Sequence, residues 1–287
     1  MKHMSIVEVT GRKVEVKRRI RLSSEIRKYR AVLQISIASN LAYIMEVVFR
    51  ALMLVAIVFI LSQLWKTTFS IRGASTLGGF SVSDMVWYLI AAEAVAMSLP
   101  ALTKRIDQEV RSGQLAYLLS RPCSYILYNF AQYLGDRLVR FVMNCLVGII
   151  LALLVVGLPH LTWMGLIAWP VTVLFAFAID FVIYFAIGLL AFWTEETQSF
   201  AFVFSRLTLV LGGVLAPIEI FPQPLRAIAQ ALPFAAILYG PARTLVHFQL
   251  NSFEALLIQQ IITLLVGGAL MFGLYQFAVR RVNINGG

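Results

Sequence analysis

Long apolar runs separated by short polar segments dominate the pattern of this chain. Several of the runs reach about 18 residues or more, the length that a helix needs to cross roughly 30 Å of hydrocarbon. They are continuously apolar and do not alternate residue by residue, which argues against a β-barrel. The pattern predicts an all-α integral membrane protein with six transmembrane helices, over residues 41–64, 85–102, 134–156, 164–193, 199–216 and 253–279.

Two of these boundaries depend on details of the pattern. The uncharged part of the first span covers only residues 51–65, about 22 Å of helix, so Glu46 and Arg50 are expected within the membrane or its inner interface. The third and fourth spans come from one uncharged stretch, residues 141–179, which the turn at residues 157–163 divides. The six-span domain therefore covers residues 41–281, after an N-terminal segment of residues 1–40 and before a tail of residues 282–287.

Two further segments are amphipathic but too short or too polar to span. Before the first span, one helical face carries five apolar residues at spacings of three and four, namely Leu22, Ile26, Tyr29, Leu33 and Ile37. This predicts an interfacial helix, either a basic membrane anchor or a helix that also contacts a partner. After the fifth span, prolines punctuate residues 217–232, where Leu225, Ile228, Ala229 and Leu232 share a face. This segment is expected to be a short external or re-entrant helix, or a loop with one helical turn.

A charged, helix-forming insert occupies residues 102–122, between the second and third spans. Its polar side chains, including Asp107, Glu109, Arg111 and Gln114, alternate with apolar ones, Gly113 interrupts the helix, and Pro122 stops it. A surface loop could show this pattern by chance. A compact helix that is charged at its tip and apolar on its flanks is also what docking onto a cytoplasmic partner requires.

The distribution of basic residues predicts the orientation. The sequence is 60% hydrophobic and 13% charged, with a net charge of +10. Lys and Arg concentrate before the first span, in the connection between the second and third spans (counted to include Arg137), and at Arg280 and Arg281. This positive-inside bias places both termini in the cytoplasm and explains the charge without nucleic acid. We expect a multi-pass protein of a bacterial cytoplasmic (inner) membrane, inserted by its first span because the basic N-terminus lacks a cleavable signal.

The sequence contains no recognisable catalytic or nucleotide-binding motif. The glycine-rich stretch at residues 73–79 has Gly79 where a P-loop needs lysine, and His3, His160 and His247 lie far apart in the predicted topology. The spacing of Cys123 and Cys145 suggests neither a disulfide framework nor a metal site. We therefore expect no metal, no directly bound cofactor and no enzymatic activity in the chain itself, and any ATP-driven function requires a separate motor subunit.

Ionisable residues within the predicted spans are candidates for a substrate path, because an unpaired charge there costs several kcal/mol. Glu46 and Arg50 are spaced i, i+4 and can form a self-neutralising structural pair. Glu93 and Asp180 lie nearer the middle of their spans without a local partner. They could bind another helix, titrate, or line a polar cavity.

Several features together resemble a permease subunit of the type-2 ABC exporter family. The first cytoplasmic loop has the spacing Glu109-Val-Arg-Ser-Gly113 followed by Arg121-Pro122, and the segment after the fifth span has Gly212-Gly213-Val-Leu-Ala-Pro217, then Phe221-Pro222 and Leu232-Pro233-Phe234. The resemblance extends from the basic helix to Arg281. No single motif is stringent, and their order and placement carry the likeness.

The resemblance implies a mechanism and partners. Two permeases, identical or not, would enclose the substrate path, and a separate cytoplasmic ATPase that binds ATP and Mg would push on a coupling helix at residues 107–118. Its expected contacts are Asp107, Glu109, Arg111, Ser112, Gly113 and Gln114. The alternative is an ion-coupled secondary transporter that uses Glu93 and Asp180. Such carriers commonly contain internal repeats, and we find no similarity between the two halves of this chain.

Overall fold

The computed structural model describes residues 26–158 and 161–285, with no side chain described at residues 44, 47, 50, 51 and 281–285. The structure is all-helical, with 82% helix and no strand in the part of the chain that it describes. The first described helix, α1, covers residues 26–42. The others are α2 (Ile44–Arg72), α3 (Val82–Met97), α4 (Leu102–Arg111), α5 (Gln114–Leu119), α6 (Tyr125–Val155), α7 (Trp163–Leu189), α8 (Gln198–Leu211), α9 (Gln223–Ala231), α10 (Phe234–Ile237), α11 (Tyr239–Val246) and α12 (Leu250–Asn285).

Polar caps and glycines set the ends of the long helices. Ser81 and Asp84 form a reciprocal capping box at the start of α3, and the Thr162 hydroxyl accepts a hydrogen bond from the Gly165 amide at 3.1 Å at the start of α7. At the end of α2, Gly73 adopts a left-handed φ of 58°, a conformation that glycine tolerates best. Single polar residues in an apolar sequence therefore determine where the long helices begin and end.

Within the described residues, five helices are long and apolar enough to cross a membrane, in the regions Leu52–Arg72, Val82–Arg111, Tyr125–Val155, Trp163–Phe192 and Leu250–Arg280. The predicted fifth span coincides with α8, which has only 14 residues, or about 21 Å of helix. The second predicted span extended to residue 102, but α3 ends at Met97 and a break of four residues precedes α4. The turn predicted at residues 157–163 does separate α6 from α7.

Contacts between distant residues define two ends of the helix bundle. At one end, here the α9 end, the Trp87 indole donates to the Gly157 carbonyl at 3.2 Å, and His247 lies 3.3 Å from Asp84. At the other end, the α4 end, Lys28 donates to the Pro122 carbonyl, and the rings of Trp193 and Phe277 stack at 5.6 Å. The long helices α2, α3, α6, α7 and α12 connect these two ends.

Helices α3 and α7 form the core of the bundle. Eleven consecutive residues of α3, from Met85 to Val95, are buried, and α7 has 14 buried residues. In contrast, α2, α6 and α12 expose apolar side chains such as Phe59, Leu154 and Leu265. Because the outer faces of these helices are apolar, they suit contact with lipid or with another membrane-embedded chain.

The segment after α8 folds back into the bundle. The Tyr88 hydroxyl of α3 donates to the Gly213 carbonyl, and the buried amide of Gln260 on α12 donates to the carbonyls of Ala236 and Thr172 at 2.9 and 3.0 Å. The predicted helix within residues 217–232 is present as a short 3-10 turn, Ile218–Ile220, followed by α9. The buried helices α10 and α11 were not predicted.

Helix α1 lies along α6. Its half-buried face includes Tyr29, Leu33 and Ile37, as the amphipathic pattern predicted, whereas Ile26 is 65% exposed and Leu22 lies outside the described residues. A Cβ atom added to Gly135 of α6 would lie 2.8 Å from the Leu33 carbonyl oxygen. The absence of a side chain at Gly135 therefore allows the two helices to pack this closely.

The contact between α4 and α7 provides a direct test of this packing. A Cβ atom at Gly188 would lie 2.8 Å from the Cβ of the fully buried Ile106. We expect Gly188→Ala to destabilise the protein by about 1–3 kcal/mol through overpacking, measured by chemical unfolding in detergent micelles. The matched control is Gly268→Ala on α12, where no atom lies within 4 Å of the added Cβ. Equal stability of the two variants would contradict the α4–α7 packing.

Candidate functional site

The candidate site is the pair of short helices α4 and α5, where the sequence predicted a coupling helix over residues 107–118 with an interruption at Gly113. The structure divides this stretch at Gly113, which has a φ of 73° and open space around its Cβ position. Glycine is favoured there because of the backbone conformation and not because of crowding. The two helices therefore form an angled unit with residues 112–114 at its apex.

Helix α4 is amphipathic and is anchored by its apolar face. Leu102, Thr103 and Ile106 are buried, and the Thr103 hydroxyl donates to the Tyr184 carbonyl of α7 at 3.0 Å. Lys104, Gln108 and Arg111 are exposed on the opposite face. The spacing of the buried residues matches one face of a helix. Burial of this face therefore fixes the orientation of α4 against α7.

Asp107 and Arg111 bind the segment between α7 and α8. The Arg111 guanidinium contacts Asp107 at 2.9 Å and donates to the carbonyls of Thr194 and Glu195. The second carboxylate oxygen of Asp107 accepts a hydrogen bond from the buried Thr197 hydroxyl at 2.9 Å. Both side chains thus make bonds within the chain, although the Arg111 side chain keeps 41% of its surface exposed.

Two other α4 residues bind α6. Glu109 accepts a hydrogen bond from the hydroxyl of the buried Tyr125. Arg105 donates to the Asn129 side chain at 3.1 Å and lies 3.8 Å from the Asp136 carboxylate. Asp136 also accepts hydrogen bonds from Ser36 and Asn40 of α1, so this carboxylate links α1, α4 and α6.

The apex of the unit is the part left exposed. Of the predicted docking residues, Ser112, Gly113 and Gln114 are exposed there without contacts to other helices among the hydrogen bonds described, whereas Asp107 and Glu109 are turned towards the bundle. Tyr117 on α5 is 64% exposed, and the Arg121 guanidinium lies 4.8 Å from the centre of its ring. Tyr117 was not predicted as a contact.

A buried ion pair lies deeper in the bundle. Arg137 is fully buried in α6, where its guanidinium binds Asp180 of α7 at 2.7 Å, the Ser98 hydroxyl at 3.2 Å, the Val95 carbonyl at 3.2 Å and the Tyr133 hydroxyl. It also lies 4.0 Å from the centre of the Phe177 ring. The assignment of Arg137 to the connection between spans is therefore wrong, because this residue lies within α6. Asp180 binds another helix, which is one of the alternatives that the sequence left open.

Among the described side chains, neither Glu93 nor Glu46 forms an ion pair with Arg137 or Asp180. Glu93 is 3% exposed and lines a cavity of about 380 Å³ together with Asp180, Ser205 and Arg206. No described residue forms an ion pair or hydrogen bond with Glu93. Glu46 lies exposed in the first turn of α2, but the Arg50 side chain is outside the described residues, and so is the predicted pairing of the two.

The buried ion pair is suited to a double-variant test. Arg137→Met leaves the Asp180 carboxylate buried without its counter-charge, which we expect to cost about 3–5 kcal/mol in unfolding free energy. Combining Arg137→Met with Asp180→Leu removes both charges, so the double variant is expected to be more stable than Arg137→Met alone. Reversible unfolding in micelles measures both. A double variant whose loss equals the sum of the two single losses would contradict the pairing.

Comparison with known proteins complements this geometry. A search of curated proteins finds no match. The model of a family described as ABC-2 family transporter protein matches residues 54–286, which include α3 to α8, the angled α4–α5 unit and the buried ion pair. The match covers most of the chain, and the chain therefore belongs to the ABC-2 family of transporter proteins.

Proposed function

We propose that this chain is the membrane-spanning permease subunit of an ATP-driven ABC exporter, coupled to a separate cytoplasmic ATPase. The family match over residues 54–286 carries this conclusion, because an ABC-2 permease is a transport subunit without catalytic chemistry of its own. ATP and Mg would be bound by the partner ATPase. A second permease, identical or different, would complete the substrate path.

The proposal includes six membrane spans with both termini in the cytoplasm. The charge bias supports this orientation, because Lys104, Arg105 and Arg121 lie at the α4 end, where α1 also packs. Helix α8 would be the fifth span although it has only 14 residues. It begins beside the α4 end, and the segment that follows it reaches Tyr88 of α3. Residues 218–246 would then form a re-entrant unit on the outer side of a bacterial cytoplasmic membrane.

The apex of the α4–α5 unit would dock onto the ATPase. Its exposure at residues 112–114 supports this role, as does the exposed Tyr117 beside it. The sequence led us to expect docking contacts from Asp107, Glu109 and Arg111, but their role would be different. Their bonds to Thr197, Tyr125 and the 194–195 carbonyls would keep the unit rigid, so that a push on the apex is carried into α6, α7 and α8.

The route from the apex into the spans would run through α3 and the buried ion pair. Only residues 98–101 separate α3 from α4, and within them Ser98 binds Arg137. Arg137 in turn binds Asp180, so a displacement of α4 reaches three spans through short polar contacts. The family match lends no support to the alternative of an ion-coupled secondary transporter.

A pull-down tests the docking proposal. The variants Ser112→Trp and Gln114→Trp add bulk at the exposed apex without breaking a described contact to another helix. Co-expressed with the P-loop ATPase expected in the neighbouring reading frame, they should recover at least about tenfold less ATPase than the unmodified chain, as bulk at a well-packed contact costs more than about 1.4 kcal/mol. The matched control is Gln223→Trp, exposed at the start of α9.

The control should retain the ATPase fully, and all chains should accumulate to equal levels in the membrane. Charge reversal of Glu109 or Arg111 is less informative, because it also breaks bonds within the chain. Full recovery of the ATPase by both apex variants would overturn the assignment of the docking site.

A further inference from the structure

A cavity beside the start of α4 is distinct from the docking apex. It has a volume of about 450 Å³ and lies between the α3–α4 junction, α6, α7 and α8. Its charged lining residues are Lys104 and Arg140, and none of the described residues that line it is acidic. We call it the basic cavity. Its volume is many times the ~30 Å³ share of a water molecule in the liquid, so it can hold a polar group such as a phosphate.

Two helix starts border the basic cavity. Helix α4 begins at Leu102 and α8 at Gln198, and both residues line the cavity. Neither Ala101 nor Thr197, the residues before these helices, caps the first turn with its side chain. The positive end of a helix attracts anions, and here the start of α4 lies beside two cationic side chains, although the Leu102 amide itself donates to the Pro100 carbonyl at 2.8 Å.

One neighbouring carboxylate opposes the potential at the start of α8. Glu196 accepts a hydrogen bond from the Gln198 amide at 3.1 Å, but it does not line the cavity, so the start of α4 and the two cationic side chains are the main sources of positive charge there. The Arg140 guanidinium donates to the Leu99 carbonyl at 3.4 Å, which holds it at the cavity wall. A further cation, Arg206, lies 4.8 Å from the centre of the Phe202 ring, and Phe202 lines the cavity.

The apolar surroundings favour a lipid over a free anion. Phe202 is 58% exposed, and Val203 beside it on α8 is 56% exposed, so the cavity adjoins an apolar surface that could contact an acyl chain. Lys104 begins the polar stretch that follows α3, which places the cations near one boundary of the apolar region. An anionic headgroup in a basic pocket between spans, with its chain along an apolar helix face, matches these features.

We propose that the basic cavity binds the phosphate of an anionic membrane lipid, and that the bound lipid stabilises the α3–α4 junction. This inference goes beyond the proposed function, since it concerns the chain alone and needs no ATPase. It assigns to Lys104 and Arg140 a role in headgroup binding, and it predicts that the position of α4 depends on the lipid composition of the membrane.

The test uses the purified full-length chain in a neutral detergent, to which dioleoyl phosphatidylglycerol, dioleoyl phosphatidylcholine or inorganic phosphate is added. Thermal unfolding midpoints and lipid retention in native mass spectrometry are the two readouts. Phosphatidylglycerol should raise the midpoint and be retained, and phosphatidylcholine should do neither. Lys104→Gln and the double variant Lys104→Gln/Arg140→Gln should weaken phosphatidylglycerol binding by about fivefold for each cation removed.

The matched control is the double variant Arg72→Gln/Arg226→Gln, which removes the same charge at the α9 end and should bind phosphatidylglycerol as the unmodified chain does. Lys104 is exposed, so its single variant keeps the test valid if the double variant fails to fold. Equal stabilisation by inorganic phosphate, lost in the same variants, would support the anion site but identify a free anion as its ligand. Unchanged binding in both Lys104 variants would overturn the proposal.

Discussion

The burial of the Arg137 guanidinium constrains the whole bundle. A charge in an apolar interior is tolerated only when its donors are satisfied and its charge is balanced. Here the balance comes from Asp180 of α7, and the remaining donors bind Val95 of α3, Ser98 directly after α3 and Tyr133 of α6. None of the three helices can shift far without leaving the guanidinium short of partners. This interaction fixes α3, α6 and α7 relative to one another at one level of the bundle.

The same interaction connects the spans to the α4–α5 unit. Ser98 belongs to the four-residue break between α3 and α4, so the guanidinium holds the base of α4 directly. The Asp107–Arg111 pair and the Glu109–Tyr125 hydrogen bond hold its far end. Polar contacts depend strongly on distance and direction, so these contacts hold the unit in place at both ends. Only its apex is left exposed for a partner. The α4 end of the bundle is therefore suited to transmitting force.

Hydropathy and local pattern predicted much of this arrangement. Five apolar helices, the break at Gly113 and the helix after Pro222 all follow from local preferences for burial and backbone conformation. The Arg137–Asp180 pair could not be predicted, because its members are 43 residues apart and only helix packing brings them together. An arginine within the apolar run that begins near Leu134 was the available signal. The fourteen-residue length of α8 was missed because apolar residues continue past Leu211 into a segment that folds back.

The orientation of the charged α4 side chains could not be predicted from the sequence either. Asp107 and Glu109 look like surface residues, but the cost of leaving Thr197 and Tyr125 without hydrogen-bond partners in the interior favours turning the carboxylates inward. Helices α10 and α11 follow Pro233, where a short apolar pattern does not distinguish a buried helix from a loop.

In the proposed mechanism, α4 moves together with the α4 end of α6 as one rigid unit. Distance measurements between spin labels at Ser112 and Leu127, both exposed, test it most directly in the assembled transporter after Cys123 and Cys145 are replaced by serine. With and without ATP bound to the proposed ATPase partner, the distance within one chain should stay unchanged. The distance between the Ser112 labels of two such chains should change. A change in the Ser112–Leu127 distance would show that α4 swings independently of α6 and would contradict the account.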